Sequence, residues 1–190
     1  DLDGTIFDTY PDILESFIDL HKEVFGHTEG VDRKEALRWL KKTSKEALEH
    51  YNIPASYIDR FKELHNERSE KGSPLFPGVD KVFAAADVNV MVTHREKEAT
   101  IDLLKKWALD HHFDEIISPE CDGFPRKPDP QVYQHLHDKY QLDWAIGDRA
   151  LDLIPAKHVG MKTVAFQNPD IEADIHVDHY TEELIEQLKK

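Results

Sequence analysis

Two aspartates separated by a single leucine, Asp1 and Asp3 in DLDGT, are followed far along the chain by a Thr-His-Arg triplet, Thr93, His94 and Arg95. Further on come Lys127 in RKPDP and a second acidic pair, Asp148 and Asp152 in GDRALD. Carboxylates of this kind supply a nucleophile, a proton carrier and cation ligands, while a hydroxyl and an ammonium hold an anion. Clustered carboxylates repel one another and lose hydration when buried, so the set requires a cation. A hard divalent ion bound by Asp1, Asp148 and a backbone carbonyl, with water completing an octahedron, meets that need, and Mg²⁺ suits all-oxygen ligands. With the metal in place, Thr93 and Lys127 can grip phosphoryl oxygens, and the repulsion between a phosphate and an attacking carboxylate is offset.

For these residues to meet, they must stand at neighbouring strand ends. From 11 to 73 the patterns are helical only: PDILESFIDLHKEVFG puts Ile13, Phe17, Leu20 and Val24 on one face. Thr9, Pro11 and Asp12 read as its start, Asp32 with Glu35 as a capping pair, and a polar helix from Pro54 to Glu70 completes a four-helix insertion. From Gly78 onward, the short runs VNVMV, DEIIS, DWAIG and MKTVAF alternate with helical stretches, including EKEATIDLLKKWALDHH with Ala99, Leu103, Leu104 and Trp107 on one face. Such alternation implies right-handed crossovers and a parallel sheet covered on both sides. The expected fold is α/β, a Rossmann-like three-layer α/β/α core with a parallel sheet, built from residues 1–10 and 74–190, plus a small helical-bundle cap from 11–73. In parallel sheets the chemistry lies beyond the carboxyl ends of the strands. VNVMV ends at Thr93, WAIG ends at Asp148, and a strand preceding the given sequence is expected to end at Asp1. Pro155 is tolerable if the helix carrying it begins near Asp152.

The chain of 190 residues has a formal net charge of −14, which argues against nucleic acid, and no basic stripe appears. Its longest apolar stretch, around VNVMV, is too short for a bilayer span, so no membrane partner is expected. One cysteine, Cys121, forms no internal disulfide, and a reducing cytoplasm is the expected location. His135 and His137 lie two apart on a helix and do not share a face, which argues against zinc there. The assembly expected is a monomer or weak homodimer.

DLDGT, a strand ending in Thr93, Lys127-Pro128 and GDRALD resemble, in order, the four motifs of the haloacid dehalogenase superfamily. The helical insertion resembles that superfamily's C1 cap of subfamily I, as in phosphoglycolate phosphatase-like members. The resemblance implies a Mg²⁺-dependent phosphatase acting on a small phosphorylated metabolite. Asp1 would be the nucleophile that becomes an aspartyl-phosphate, and Asp3 the general acid and base. Thr93, His94 and Lys127 would bind phosphate. Asp1, Asp148 and Asp152 would hold the metal, with Asp3 contributing its carbonyl. Lys42 and Thr43 in the turn KKTSK, with Tyr10 and Arg95, are the candidates for substrate selection, although Thr43 or Ser44 also suits a plain helix cap. The cap is expected to hinge near 8–10 and 73–77. A β-phosphoglucomutase-like phosphomutase shares the cap and motifs, but GDRALD lacks the Glu-Asp pair usual there. A catalytically inactive binding protein on the same scaffold is the alternative from a different class. A dehalogenase, which needs no metal, and a receiver-like signalling domain, which has nothing matching Asp148, fit less well.

Overall fold

The computed structural model describes residues 1–69 and 72–190. The chain divides into two compact units, Asp1–Phe7 with Leu75–Lys190, and Asp8–Pro74.

The second unit is helical: α1 (Tyr10–Phe25), α2 (Arg33–Lys42), α3 (Ser44–His50) and α4 (Ile58–Ser69). Its core gathers Leu14, Phe17, Leu20, Ala36, Leu40, Ala47, Leu48, Phe61 and Leu64, with Ile13 and Val24 partly buried against it. Spacings of three and four therefore do place an apolar stripe inside, centred on Leu14, Phe17 and Leu20. The Asp32 side chain accepts from Glu35 N at 2.8 Å, so the expected capping pair forms. Thr9 stands at the N-cap of α1, but its side chain makes no capping bond. The fourth helix is preceded by a single 3₁₀ turn at Ala55–Tyr57, and its expected end at Glu70 lies outside the described residues.

The first unit contains, in order, α5 (Val79–Ala85), β1 (Val90–Val92), α6 (Lys97–Lys106), β2 (Glu115–Ile117), α7 (Pro119–Asp122), α8 (Gln131–Tyr140), β3 (Trp144–Gly147), α9 (Ala150–His158), β4 (Lys162–Phe166), β5 (Ile175–Val177) and α10 (Glu182–Leu188). All pairings between these strands are parallel: β1 with β2, and β3–β4–β5 in that order. Strand side chains alternate between two cores, as a two-residue period requires. Met91, Ile146, Val164 and Phe166 pack with Val82, Leu103, Leu104 and Leu184 from α5, α6 and α10. Val92, Ala145 and Ile117 pack with Val132, Leu136 and Ala156 from α8 and α9. Helices thus cover both faces, which is the three-layer arrangement.

Four departures from the sequence reading have local causes. The sheet is in two pieces, whose facing members β1 and β3 both line a cavity of about 560 Å³ together with Asp1. α6 stops at Lys106 rather than running through Trp107: Ala108 turns to φ 53° and Leu109 N bonds Leu104 O at 2.9 Å, which buries Leu109 and leaves Trp107 42% exposed. Pro155 is not in the first turn of its helix, because α9 begins at Ala150 and the proline is interior; its ring is buried and the i−4 bond it cannot make is forgone. β5, from ADIHVDH, is a short strand the sequence reading did not mark.

Candidate active site

The Asp1 main-chain nitrogen donates to Ile146 O at 3.2 Å, which sets its side chain beside the end of β3. Gly4 at φ 77° and the bond from Gly4 N to Phe7 O turn the chain away immediately afterwards. Asp148 directly follows β3 and is fully buried. The β3–α9 turn is so tight that a Cβ on Gly147 would lie 2.5 Å from Asp152 Cβ; glycine there lets Asp152 swing in beside Asp148. The amide of Asn168 donates to Asp148 O at 2.7 Å and pins the same turn.

Lys127 joins these pieces. Its ammonium donates to Asp1 Oδ1 at 2.7 Å, to the Val92 carbonyl at 3.1 Å and to Asp152 Oδ1. Three acceptors match its three protons, and the side chain has no exposed surface. Burial pushes the Lys127 ammonium down, with Asp152 opposing that shift. Burial by itself would raise the Asp152 carboxyl, but Lys127 and Arg149 hold it below the usual carboxylate range. Single ligand atoms of Asp1, Asp148 and Asp152 lie within 4.8 Å of one another. Asp152 Oδ2 is buried and accepts no hydrogen bond. An all-oxygen set with such an atom fits a hard divalent cation.

Thr93 continues β1, its nitrogen bonded to Ile117 O at 3.1 Å, and its buried hydroxyl accepts from Arg95 N at 3.1 Å. His94 accepts from Lys127 N through Nε2 at 3.0 Å, which assigns its ring proton to Nδ1. Burial, reinforced by the charges of Lys127, Arg126 and Arg149, pushes the His94 imidazole down to about 3. It is neutral at pH 7 and buttresses the Lys127 backbone. The Arg95 side chain, 6% exposed, donates to Asp3 Oδ1 at 2.9 Å. The Ser118 hydroxyl, bonded to Arg95 O at 2.9 Å, holds that segment in place.

The structure therefore brings Asp1, Thr93, Lys127, His94, Asp148 and Asp152 into one buried assembly, with Asp3 and Arg95 paired beside it. The other candidates belong to the helical unit and are engaged locally. Thr43 caps α3, its Oγ1 accepting from Glu46 N at 3.0 Å and donating to Glu46 Oε2 at 2.7 Å. Lys42 Nζ lies 3.9 Å over the Trp39 ring, and Tyr10 is buried beneath Lys41 at 4.7 Å. Arg149, Asn168 and Ser118 received no role in the sequence reading. For Arg149 a signal existed, since a cationic residue between two acidic motif positions has carboxylates within reach on both sides.

The residue pattern of the haloacid dehalogenase-like hydrolases matches residues 1–166, nearly the whole chain and all four motifs. The chain belongs to the haloacid dehalogenase-like hydrolase family. It is 26% identical over 182 residues to a phosphoglycolate phosphatase of Vibrio cholerae serotype O1, covering 84% of this chain and 79% of that one. A subfamily IA hydrolase of the same superfamily from Geobacter sulfurreducens superposes with a TM-score of 0.71 at 20% identity, over 99% of this chain and 93% of the other. A proposed β-phosphoglucomutase from Thermotoga maritima does so with 0.71 at 18% identity, over 100% and 96%. At these identities the superpositions show a shared fold. No helix among the described residues of this hydrolase is long and apolar enough to cross a membrane.

Proposed function

We propose that this hydrolase cleaves a small phosphomonoester through an aspartyl-phosphate on Asp1, with Mg²⁺ held by Asp1, Asp148, Asp152 and the Asp3 carbonyl. The observation that carries this reading is the Lys127 ammonium bridging Asp1 and Asp152 in a fully buried site. Such a bridge orients one Asp1 oxygen while keeping the nucleophile ionised. A bound Mg²⁺ would supply charge neutralisation for the incoming phosphate and the transition state.

The Asp1 carboxylate attacks phosphorus, and the bond from phosphorus to the ester oxygen breaks. Asp3 gives its proton to the departing oxygen. The Asp3 carboxylate then takes a proton from water, the resulting hydroxide attacks phosphorus, and inorganic phosphate leaves with Asp1 regenerated. In the Arg95 pairing Asp3 accepts through Oδ1, so the proton it donates is carried on Oδ2. That contact makes Arg95 a positioning residue for Asp3. The Thr93 hydroxyl accepts from Arg95 N and so keeps its own hydrogen for a phosphoryl oxygen, toward which the Lys127 charge also acts. Lys42, Thr43 and Tyr10 remain candidates for selecting the rest of the substrate.

Similarity to a phosphoglycolate phosphatase makes phosphoglycolate the first ester to test, beside a sugar phosphate and a nucleoside monophosphate. Inorganic phosphate is expected in Mg²⁺ and not in excess chelator, and Asp1→Asn should abolish it. Full activity in Asp1→Asn would sink the mechanism. Conversion of a sugar phosphate to its positional isomer without phosphate release would mark a mutase.

A further inference from the structure

Lys127 uses one oxygen of Asp1 and one of Asp152; a different cation faces the others. Arg149 Nη2 lies 3.4 Å from Asp1 Oδ2, and its Nε lies 3.7 Å from Asp148 Oδ1 and 3.4 Å from Asp152 Oδ2. The guanidinium thus sits against all three carboxylates, along the edge that Lys127 leaves to them. These separations exceed the roughly 2.7–2.9 Å of a well-made charge-assisted hydrogen bond. Of these contacts the one from Nη2 to Asp1 Oδ2 is a long hydrogen bond, and the other two are ion pairs. The side chain keeps 16% of its surface exposed, whereas Asp1, Asp148, Asp152 and Lys127 keep 2% or less, so a route outward exists for Arg149 alone of this group.

Three buried carboxylates outnumber the one ammonium among them by two charges, and a buried cluster so charged is costly. Arg149 compensates one of them. A divalent cation would compensate both, and it would have to bind the same oxygens at about 2.0–2.1 Å. The guanidinium and such an ion cannot share that edge.

We propose that Arg149 is a built-in counter-cation that occupies the carboxylate edge of Asp1, Asp148 and Asp152 until a divalent ion displaces it. This rests on the reading of that cluster as a Mg²⁺ site. Arg149 then has opposed effects: it stabilises the metal-free fold and weakens metal binding. A guanidinium stays charged at all working pH values, so Arg149 itself adds no pH dependence to the competition.

The test measures Mg²⁺ binding by calorimetry, melting temperature in excess chelator, and the reactivity of Arg149 toward phenylglyoxal, mapped by peptide mass spectrometry. Three proteins are compared: the natural chain, Arg149→Gln and Arg149→Lys. Arg149→Gln should bind Mg²⁺ about tenfold more tightly and melt several degrees lower in chelator, and Arg149→Lys should restore both values toward those of the natural chain. In the natural chain Mg²⁺ should increase modification at Arg149 several-fold, which a fixed structural arginine would not show. Equal or weaker Mg²⁺ binding by Arg149→Gln, or modification unchanged by Mg²⁺, overturns the proposal while leaving the metal site standing. Absence of Mg²⁺ binding in every protein overturns both this proposal and the reading on which it rests.

Discussion

The two units of the chain handle charge in opposite ways. In the helical unit, polar groups meet at the surface: Arg60 pairs with Glu23 and Glu63, and the Asp32 carboxylate and Thr43 hydroxyl accept from the backbone amides of Glu35 and Glu46, three residues on. In the α/β unit, Lys127 is sealed from solvent and reaches Asp1, 126 positions away, while Arg149 reaches the same aspartate across 148. Exposed pairs gain little because water already solvates both partners. Buried ones are expensive to assemble, so a folded chain that keeps them is using them for something other than stability. The contrast separates a scaffold from a site without reference to any motif.

Breaking the buried network should produce the largest effect. Lys127→Met leaves Asp1 and Asp152 buried without their shared cation, and unfolding in urea should show a loss of about 3–5 kcal/mol together with loss of phosphate release. Added Mg²⁺ should recover part of the stability, and full stability without metal would refute the assigned role of that ammonium. Next is Gly147→Ala. Its Cβ would meet Asp152 Cβ at 2.5 Å, so the β3–α9 turn must open, at a cost of about 1–3 kcal/mol and most of the catalytic rate. Thr43→Ala in the helical unit removes the cap of α3 and should cost about 1 kcal/mol. If its effect on the rate for one ester exceeds that for another, Thr43 selects substrate as well as capping.

A smaller expected effect is a slope with pH. His94 is held neutral, its folded value of about 3 lying below the ordinary 6.5. The unfolded chain therefore binds the proton first, and the stability present above pH 6.5 is lost as pH falls toward 3. The imidazole retains partial contact with solvent, so the slope from this one group should stay under about 1 kcal/mol per pH unit. Urea titrations at pH 7 and pH 5 should show a smaller loss in His94→Gln than in the natural chain, and identical losses would exclude His94 as the source. At the other extreme, Arg60→Ala on the exposed face of the helical unit should leave the melting temperature unchanged within error.

How much of this was legible beforehand follows the range of the interactions involved. Helix positions in the insertion follow from side chains three and four apart, and the Asp32–Glu35 cap from a pair three apart. Strand ends carrying Thr93 and Asp148 follow from short β-branched runs closed by polar residues. The early stop of α6 was not legible, because burial of Leu109 in place of Trp107 depends on what packs against that helix end. The interior position of Pro155 was missed for a related reason: a helix starting two residues earlier, at Ala150, is decided by the tight approach at Gly147.

By itself the sequence determined the inventory: which residue types are present, in which order, and at which ends of which local elements. That sufficed to place Asp1, Asp3, Thr93, Lys127, Asp148 and Asp152 beside a strand or turn. Only the tertiary structure decided which oxygen of each carboxylate meets which cation, that Arg95 holds Asp3, that His94 props Lys127, and that Arg149 faces three aspartates at once. The Asp3–Arg95, His94–Lys127 and Asp1–Arg149 pairings span 92, 33 and 148 positions; they come from packing and burial, where charges find partners because water is excluded, and no local spacing encodes them.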